Sequence, residues 1–300
     1  MKASWAKWEN SSTAAINQMY ILADILYLVV YYLVRYRRKV TRANLAACFP
    51  DKAVGERRRI ERRYYRYMCD LLVEAVVGLW ASPEFIKRHY RIRNRQVVDR
   101  YYEQGRTVVL ASAHYGNWEY MVASLGMQLL HHGIGVGKPL DDKAVASFIT
   151  RRRTRFGTQV VDQTDVRQHV AFFDRYHVPC ALMMLGDQSP ANPHRSYWTT
   201  FLGRDTAFLY GAEHFARQYN YPVLYYSVER VRRGYYELTF TPLCDKPLEV
   251  PQYSIVESYA RTLEQQILRV PEYWLWSHRR WKLTRNGRIQ KDGTIKIIPQ

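Results

Sequence analysis

Cysteine is scarce in this sequence, and its four residues form no close pair. Cys48, Cys69, Cys180 and Cys244 lie far apart in the chain, with no C-x-x-C or similar spacing. This pattern argues against a disulfide framework and against a cysteine-based zinc site. We therefore expect reduced thiols in the core of a protein that works in a cytosolic compartment.

Acidic residues are also in short supply. The 300 residues include 27 Asp and Glu against 45 Lys and Arg, which gives a formal net charge of +18. Such an excess predicts an anionic partner, either nucleic acid, an acidic lipid surface or an acidic carrier. Half of the excess is local, because the segment from Arg35 to Arg66 has 12 basic and 3 acidic residues.

A long apolar run without polar interruption is missing. Residues 14–34 are largely apolar, but Asn17, Gln18 and Asp24 interrupt them, and a membrane-crossing helix needs about 20 mostly apolar residues. A helix lying in the membrane interface fits as well, with the basic residues 35–39 on anionic headgroups at about 1 kcal/mol per charge. A buried first helix of a soluble protein would show the same pattern. A cleavable signal peptide is disfavoured, because no small-x-small site follows.

The rest of the chain shows two successive patterns. Residues 56–80 have apolar side chains at helical spacing, whereas from residue 106 short apolar runs alternate with helical segments. This order predicts an α/β fold, a layered α/β/α sandwich around a mostly parallel mixed sheet, with membrane-associated helices at the N-terminus. We expect a membrane-associated helical region at 1–90, an α/β domain at 91–285 and a loosely held tail at 286–300. The predicted strands are 107–113, 134–137, 158–161, 179–185, 222–228 and 235–240, and the predicted helices between and after them are 117–130, 141–156, 165–176, 207–219 and 253–270.

His114 and Glu119 form the first candidate for chemistry. Five residues apart on one helix, they would point about 140° apart and could not meet. A turn solves this, because a strand ends at residue 113, Gly116 permits a bend and Asn117 can cap a helix. His114 then lies at the carboxyl end of a strand, where open α/β sheets bind ligands. A carboxylate that orients the imidazole would make it a general base, although a strand-ending His and a helix-starting Glu without such a role have the same spacing.

Several motifs resemble one enzyme family. Residues 114–119 (His-Tyr-Gly-Asn-Trp-Glu) are similar to the H-x4-D/E block of the glycerolipid acyltransferase superfamily, in the form found in late acyltransferases of lipid A biosynthesis, of the lauroyl or myristoyl type. Residues 44–50 (Asn-Leu-Ala-Ala-Cys-Phe-Pro) and 276–282 (Trp-Ser-His-Arg-Arg-Trp-Lys) resemble that family's two terminal motifs. Residues 153–157 and 186–188 also match in order and spacing, so the resemblance runs from about residue 20 to residue 283.

The resemblance implies a specific reaction. The enzyme would move a fatty acyl chain from acyl carrier protein to a hydroxyl of a lipid A precursor, with no cofactor, no metal and no covalent acyl-enzyme. His114 would be the general base and Glu119 its orienting partner. The expected location is the cytoplasmic face of the inner membrane of a Gram-negative bacterium, on an anionic membrane surface. Trp281, Ser277 and Gln188 depart from the family pattern, which leaves the acyl chain length and the acceptor open.

Five further residues are candidates for substrate binding. Arg153 and Arg155, at the end of the helix predicted at 141–156, could bind the developing oxyanion or an acceptor phosphate, or form a solvated helix end. Asp187 follows a predicted strand and could hold an arginine or a sugar hydroxyl, or simply end the strand. Arg279 and Arg280 are expected to contact an anion.

Two aromatic residues beside the dyad, Tyr115 and Trp118, are expected to line an acyl groove. Met121 and Leu125 on the following helix could extend that groove, and core-facing positions fit them equally well. The paired Trp274 and Trp276 are expected to be core or interface anchors rather than site residues.

Other functions fit less well. A glycerophosphate or lysophospholipid acyltransferase would share the H-x4-D/E motif. The E-G-T/S-R block that follows it in those enzymes is absent from this sequence. An acyltransferase that acts on another glycolipid or aminolipid shares the same motifs and stays open. A basic membrane- or nucleic-acid-binding protein without catalysis is the alternative from a different class. No recognisable nucleic-acid module accompanies the charge, so we expect no nucleic-acid partner.

Overall fold

The computed structural model describes residues 18–137, 143–290 and 294–298. The predicted residues 14–17 of the first helix and 141–142 of the helix at 141–156 lie outside them. The described helices are α1 (Gln18–Val34, π-helical over Val29–Val34), α2 (Arg38–Cys48), α3 (Val54–Gly78), α4 (Pro83–His89), α5 (Gln96–Glu103), α6 (Trp118–Gln128), α7 (Lys143–Thr154), α8 (Val166–Arg175), α9 (Gly211–Tyr219) and α10 (Ser254–Arg269), followed by a 3-10 turn at Pro271–Tyr273.

The strands confirm the predicted α/β fold. They are β1 (Tyr90–Ile92), β2 (Val108–Ser112), β3 (His132–Gly137), β4 (Gln159–Asp162), β5 (Cys180–Leu185), β6 (Tyr197–Phe201), β7 (Arg204–Phe208), β8 (Val223–Arg232), β9 (Tyr235–Cys244), β10 (Leu283–Thr284), β11 (Gly287–Ile289) and β12 (Ile295–Ile297). Seven of them form one sheet in the order β1-β9-β8-β2-β5-β3-β4. Within it only the β8–β9 hairpin pairs antiparallel, so the sheet is mixed and mostly parallel.

Both faces of this sheet are covered, which explains the composition of its central strand. All residues of β2 are buried, as expected for a parallel strand between two layers of helices. Val109 and Ala111 point into a core that includes residues of α8, α9 and α10. Val108 and Leu110 point into a second core that includes residues of α4, α5 and α6. The three layers of the predicted sandwich are therefore present.

The first helix packs one face on α3 and exposes the other. Tyr20, Tyr27 and Tyr31 are buried, whereas the opposite side of α1 exposes a row of apolar side chains. No single helix in the described part of the chain is long and apolar enough to cross a membrane, although α1 and α2 pass that test together across a 91° bend. The exposed apolar side chains on this helix are Ile21, Leu22, Ile25, Leu28, Val29, Tyr32, Leu33 and Val34.

Three segments differ from the sequence-based expectation. The helix predicted at 207–219 begins only at Gly211, because residues 204–208 pair with β6 in a hairpin that the sequence analysis missed. Strand β1, which pairs with β9, was also missed. The segment predicted as a loose tail contains β11 and β12, which form a small sheet with β10 just before it. Arg285, next to this segment, pairs with Asp205 at 2.8 Å. The three-region division of the chain stays a prediction.

A close backbone approach sets the position of α6 relative to the end of α7. Gly126 of α6 lies against the backbone of Gly157 and Thr158, and a Cβ on Gly126 would come within 2.4 Å of the Gly157 carbonyl carbon. Its amide donates a hydrogen bond to the Thr158 hydroxyl at 2.9 Å. Because α6 begins near Glu119 and α7 ends near Arg153, this contact fixes the spacing of two candidate site residues.

Gly126→Ala should destabilise the fold, although alanine is normally the better helix former. The added methyl meets backbone atoms that cannot rotate away, so we expect the free energy of unfolding to fall by about 1–3 kcal/mol. Gly55→Ala in α3 is the matched control, since its Cβ would meet no atom within 4 Å, and it should be neutral or slightly stabilising. Denaturant unfolding of both variants measures the difference. Equal stability of the two would contradict the close contact.

Candidate active site

The predicted strand-turn-helix around His114 is present. Strand β2 ends at Ser112, and Gly116 has a φ of +66° in the turn that follows. A side chain on Gly116 would collide with Val228, whose Cγ1 lies 2.5 Å from the ideal Cβ position. The side chain of Asn117 then accepts a hydrogen bond from the Tyr120 amide at 2.9 Å, which caps α6. The local sequence therefore places His114 at the carboxyl edge of the sheet.

The carboxylate that orients His114 belongs to Asp187. Oδ1 of Asp187 lies 2.7 Å from Nδ1 of His114 and accepts a second hydrogen bond from the His114 amide at 3.1 Å. Trp274 donates its indole N–H to Oδ2 at 2.9 Å. Asp187 is only 3% exposed, so its position is fixed by these contacts. Parallel pairing of β2 and β5 brings the two residues together, because each follows the end of its strand.

The two charges of this pair shift each other's pKa. Burial lowers the pKa of His114, but the adjacent Asp187 carboxylate, its hydrogen bond and the charge of Glu119 outweigh burial, so the pKa is raised. Burial of Asp187 acts to raise its pKa, yet the His114 charge and the hydrogen bonds from His114 and Trp274 leave it below the ordinary value. The arrangement favours an Nδ1–H tautomer that donates to Asp187 and leaves Nε2 free to accept a proton.

Glu119 makes a different contact from the one expected. Its Oε1 accepts a hydrogen bond from Arg153 at 2.6 Å, and both side chains are partly exposed. The hydrogen bond to Nδ1 that sequence reasoning gave to Glu119 is thus made by Asp187. Asp187 holds the site histidine and not an arginine or a sugar hydroxyl. Arg153 does reach the site, and Glu119 is close enough to act on His114 through its charge.

Two further residues at this edge were not chosen from the sequence. The side-chain amide of Gln188 lies 3.3 Å from Nε2 of His114. His278 accepts a hydrogen bond from the Ser189 amide at 3.1 Å, and burial lowers its pKa to about 4, so it is neutral. Both belong to motifs noted in the sequence, at 186–188 and 276–282, and that membership was the available signal. Trp274, expected to be a core or interface anchor, is buried and also binds Asp187.

The other three arginine candidates differ in their burial and their contacts. Arg155 donates to the Gly78 carbonyl at 2.9 Å and to the Ala81 carbonyl, so it joins α7 to the end of α3. Arg279 is exposed. Arg280 is 2% exposed, and burial lowers its pKa to about 10; its guanidinium lies 4.6 Å from the centroid of Phe208. Burial therefore removes Arg280 from direct contact with an external anion.

The predicted acyl groove is only partly supported by the positions of its residues. The Trp118 ring meets the His114 ring edge-on at 5.2 Å between centroids, so it borders the site. Tyr115 is 3% exposed and donates its hydroxyl to the Val270 carbonyl at 2.8 Å. Met121 and Leu125 belong to the core beneath α6. Among the described residues, no cluster of three or more His, Cys, Asp or Glu side chains could hold a metal ion.

Comparisons with known proteins match nearly the whole chain. A family model described as bacterial lipid A biosynthesis acyltransferase matches residues 21–283. The lipid A biosynthesis lauroyltransferase of Escherichia coli (strain K12) is 22% identical over 297 residues, which cover 94% of this chain and 93% of that relative. The lipid A biosynthesis palmitoleoyltransferase of the same organism is 23% identical over 254 residues, 82% of this chain and 79% of the relative. A lipid A biosynthesis acyltransferase of Shigella flexneri matches to the same extent.

The ion pair predicts how His114 titrates. In Asp187→Asn the His114 pKa should fall, because burial still disfavours the imidazolium while the compensating charge is lost. His131, whose pKa burial lowers to about 4, should not change. NMR titration of the imidazole protons measures both residues. The stabilising charge interaction of the wild type should be complete below pH 6.5, the ordinary histidine value, and be lost as pH rises through the raised pKa. An unchanged His114 pKa in the variant would contradict the contact.

Proposed function

The chain belongs to the bacterial lipid A biosynthesis acyltransferase family, and from that membership we propose that it moves a fatty acyl chain from acyl carrier protein to a hydroxyl of a lipid A precursor. The observation that carries this proposal is the hydrogen bond from Nδ1 of His114 to Asp187. It holds a base at the carboxyl edge of the parallel strands β2 and β5, the edge at which such sheets bind substrates.

The proposed step is direct transfer. The acceptor hydroxyl gives its proton to Nε2 of His114, and its oxygen attacks the carbonyl carbon of the thioester. The resulting intermediate expels the thiolate when the C–S bond breaks, and the imidazolium returns the proton to that sulfur. Asp187 stabilises the imidazolium between these two proton transfers. The Asp187 contact and the charge of Glu119, which raise the His114 pKa, support this role because they favour the protonated ring.

Glu119 and Arg153 have a second part in this proposal. Glu119 adds negative charge near the imidazolium and holds the Arg153 guanidinium at 2.6 Å. The remaining donors of Arg153 can bind the anion of the reaction, which is either the thioester oxygen as it gains charge or a phosphate of the acceptor. The partial exposure of Arg153, with 33% of its side chain accessible, supports contact with a substrate.

The proposed substrates and location follow from charge and apolar surface. The exposed apolar face of α1 and the neighbouring basic residues suit the anionic cytoplasmic face of the inner membrane. A net charge of +18 also suits an acidic carrier protein. The two Escherichia coli relatives are named for different acyl groups and match at nearly equal identity. The proposal therefore specifies a fatty acyl chain and leaves its length to measurement.

Loss of the gene should remove one acyl chain from lipid A. Mass spectrometry of lipid A from cells with and without the gene would identify the acceptor and the chain length together. If cells without the gene had normal lipid A but lacked an acyl group on another glycolipid or aminolipid, that lipid would be the acceptor. Unchanged acylation of all lipids would contradict acyl transfer.

Substitutions at the site should separate the roles of the two carboxylates. His114→Ala should abolish transfer from acyl carrier protein in a purified assay. Asp187→Asn should lower kcat by about 100- to 10,000-fold, because the imidazole loses its tautomer control. Glu119→Gln should lower kcat by at least about tenfold through Arg153.

The matched control for His114→Ala is His169→Ala, which replaces a partly exposed histidine on α8 and should keep full activity. Full activity of His114→Ala would refute the mechanism. If kcat fell further in Glu119→Gln than in Asp187→Asn, Glu119 and not Asp187 would be the residue that orients His114.

A further inference from the structure

A cavity lies outside the reacting edge. It is open, measures about 720 Å³, and lies between α1, α3 and the turn of the β8–β9 hairpin. Arg233 in that turn pairs with Asp24 of α1 at 2.7 Å, which holds the hairpin against the first helix. The cavity is lined by Asp24, Tyr27, Leu28, Arg63, Arg66, Tyr67, Asp70, Arg230, Val231, Arg232, Arg233, Glu272 and Tyr273.

The cavity has an excess of positive charge, since five arginines and three carboxylates line it. Each carboxylate already has an arginine partner. Asp70 pairs with Arg230 at 2.6 Å and also with Arg233, which in turn pairs with Asp24. Glu272 pairs with Arg63 at 3.5 Å.

Two arginines of the lining differ from the others in their contacts. Within the described ranges, neither Arg66 nor Arg232 has a carboxylate at ion-pair distance. The Arg66 guanidinium lies 5.1 Å from the centroid of the Tyr27 ring, and the Arg232 guanidinium lies 3.7 Å from that of Tyr235. Both side chains are exposed, so their guanidinium groups are accessible to a ligand. An anion would therefore find two guanidinium groups without having to displace a protein carboxylate.

The rim of the cavity on the α1 side is apolar. Leu28 lines the cavity and is 54% exposed, and it continues into the exposed apolar face of α1. A ligand that fits both surfaces has a compact anionic head and an apolar tail. Guanidinium groups bind phosphate through two parallel hydrogen bonds, which makes phosphate the anion that this lining fits best.

We propose that this cavity binds the phosphate headgroup of an anionic membrane lipid, with the lipid chains along the exposed face of α1. The site is separate from His114, and the two adjoin through Tyr273, whose carbonyl accepts a hydrogen bond from the Gly116 amide at 3.2 Å. Binding a lipid here would hold the enzyme on the membrane in one orientation, because the headgroup contacts α3 and the hairpin as well as α1.

The experiment compares vesicle binding of full-length variants. Wild-type protein should bind vesicles of phosphatidylcholine with phosphatidylglycerol more tightly than vesicles of phosphatidylcholine alone. Arg66→Ala/Arg232→Ala should lose about tenfold or more of the affinity for the anionic vesicles, since two charges near the surface are removed. On phosphatidylcholine alone the variant and the wild type should bind equally. Cosedimentation at physiological salt measures both.

The matched control removes the same charge elsewhere. Arg175→Ala/Arg195→Ala replaces two exposed arginines that do not line the cavity and should lose less than about twofold, because neither can contact a headgroup bound there. Equal losses in the two double variants would overturn the proposal, since general electrostatic attraction would then explain binding. Circular dichroism of each variant confirms folding, and Arg66→Lys/Arg232→Lys, which keeps the charge, should retain part of the affinity.

Two further arms separate the alternatives. His114→Ala should bind anionic vesicles as the wild type does. The lipid proposal is therefore tested independently of the proposed acyl transfer. Inorganic phosphate should compete with the vesicles for the wild type and not for Arg66→Ala/Arg232→Ala. If Arg66→Ala/Arg232→Ala lost phosphate binding but bound anionic vesicles as the wild type does, the cavity would be a site for free phosphate. That result would overturn the lipid proposal.

Discussion

The site depends on one buried carboxylate that joins three distant parts of the chain. Asp187 accepts hydrogen bonds from the ring and amide of His114 and from the Trp274 indole. These partners belong to the end of β2 and to the C-terminal segment, while Asp187 itself follows β5. Burying a carboxylate costs several kcal/mol unless its lone pairs are used. Three hydrogen bonds satisfy the buried carboxylate of Asp187. Displacing any of the three donors would leave it partly unsatisfied, so the histidine is held in one orientation.

A second buried carboxylate connects the first helix to the same site. Glu74 of α3 accepts hydrogen bonds from Tyr20 of α1 at 2.8 Å and from Tyr236 of β9 at 2.7 Å. It also accepts one at 2.8 Å from Asn117, the residue that caps α6 just beyond His114. The helix with the exposed apolar face and the turn with the reacting histidine are therefore fixed to a common point. The orientation of the protein on a surface that binds α1 would determine where His114 lies relative to that surface.

The local geometry could be predicted from the sequence, whereas the partner of the histidine could not. The end of β2, the bend at Gly116 and the cap at Asn117 depend on neighbouring residues. Asp187 is 73 residues away from His114, and the two meet only because β2 and β5 are adjacent in the sheet. Sequence spacing favoured Glu119 as the partner of His114. Spacing shows which residues are close along the chain, but it does not show which strands are neighbours in the sheet. Similarly, Arg155 was a reasonable candidate for binding an anion, because it is a basic residue near a helix end. In the structure its guanidinium instead donates hydrogen bonds to backbone carbonyls at and just after the end of α3.

Two carboxylates near one histidine serve different physical purposes because they differ in burial. Asp187 is 3% exposed and cannot exchange its partners for water, which suits a group that must keep one tautomer throughout a reaction. Glu119 is partly exposed and pairs with an arginine that is more exposed still, so that contact can rearrange when an anionic substrate arrives. If the roles were exchanged, the exposed carboxylate would let the ring turn, and the buried one would hold Arg153 away from any ligand. The observed division therefore gives the site a fixed base beside an adjustable positive charge.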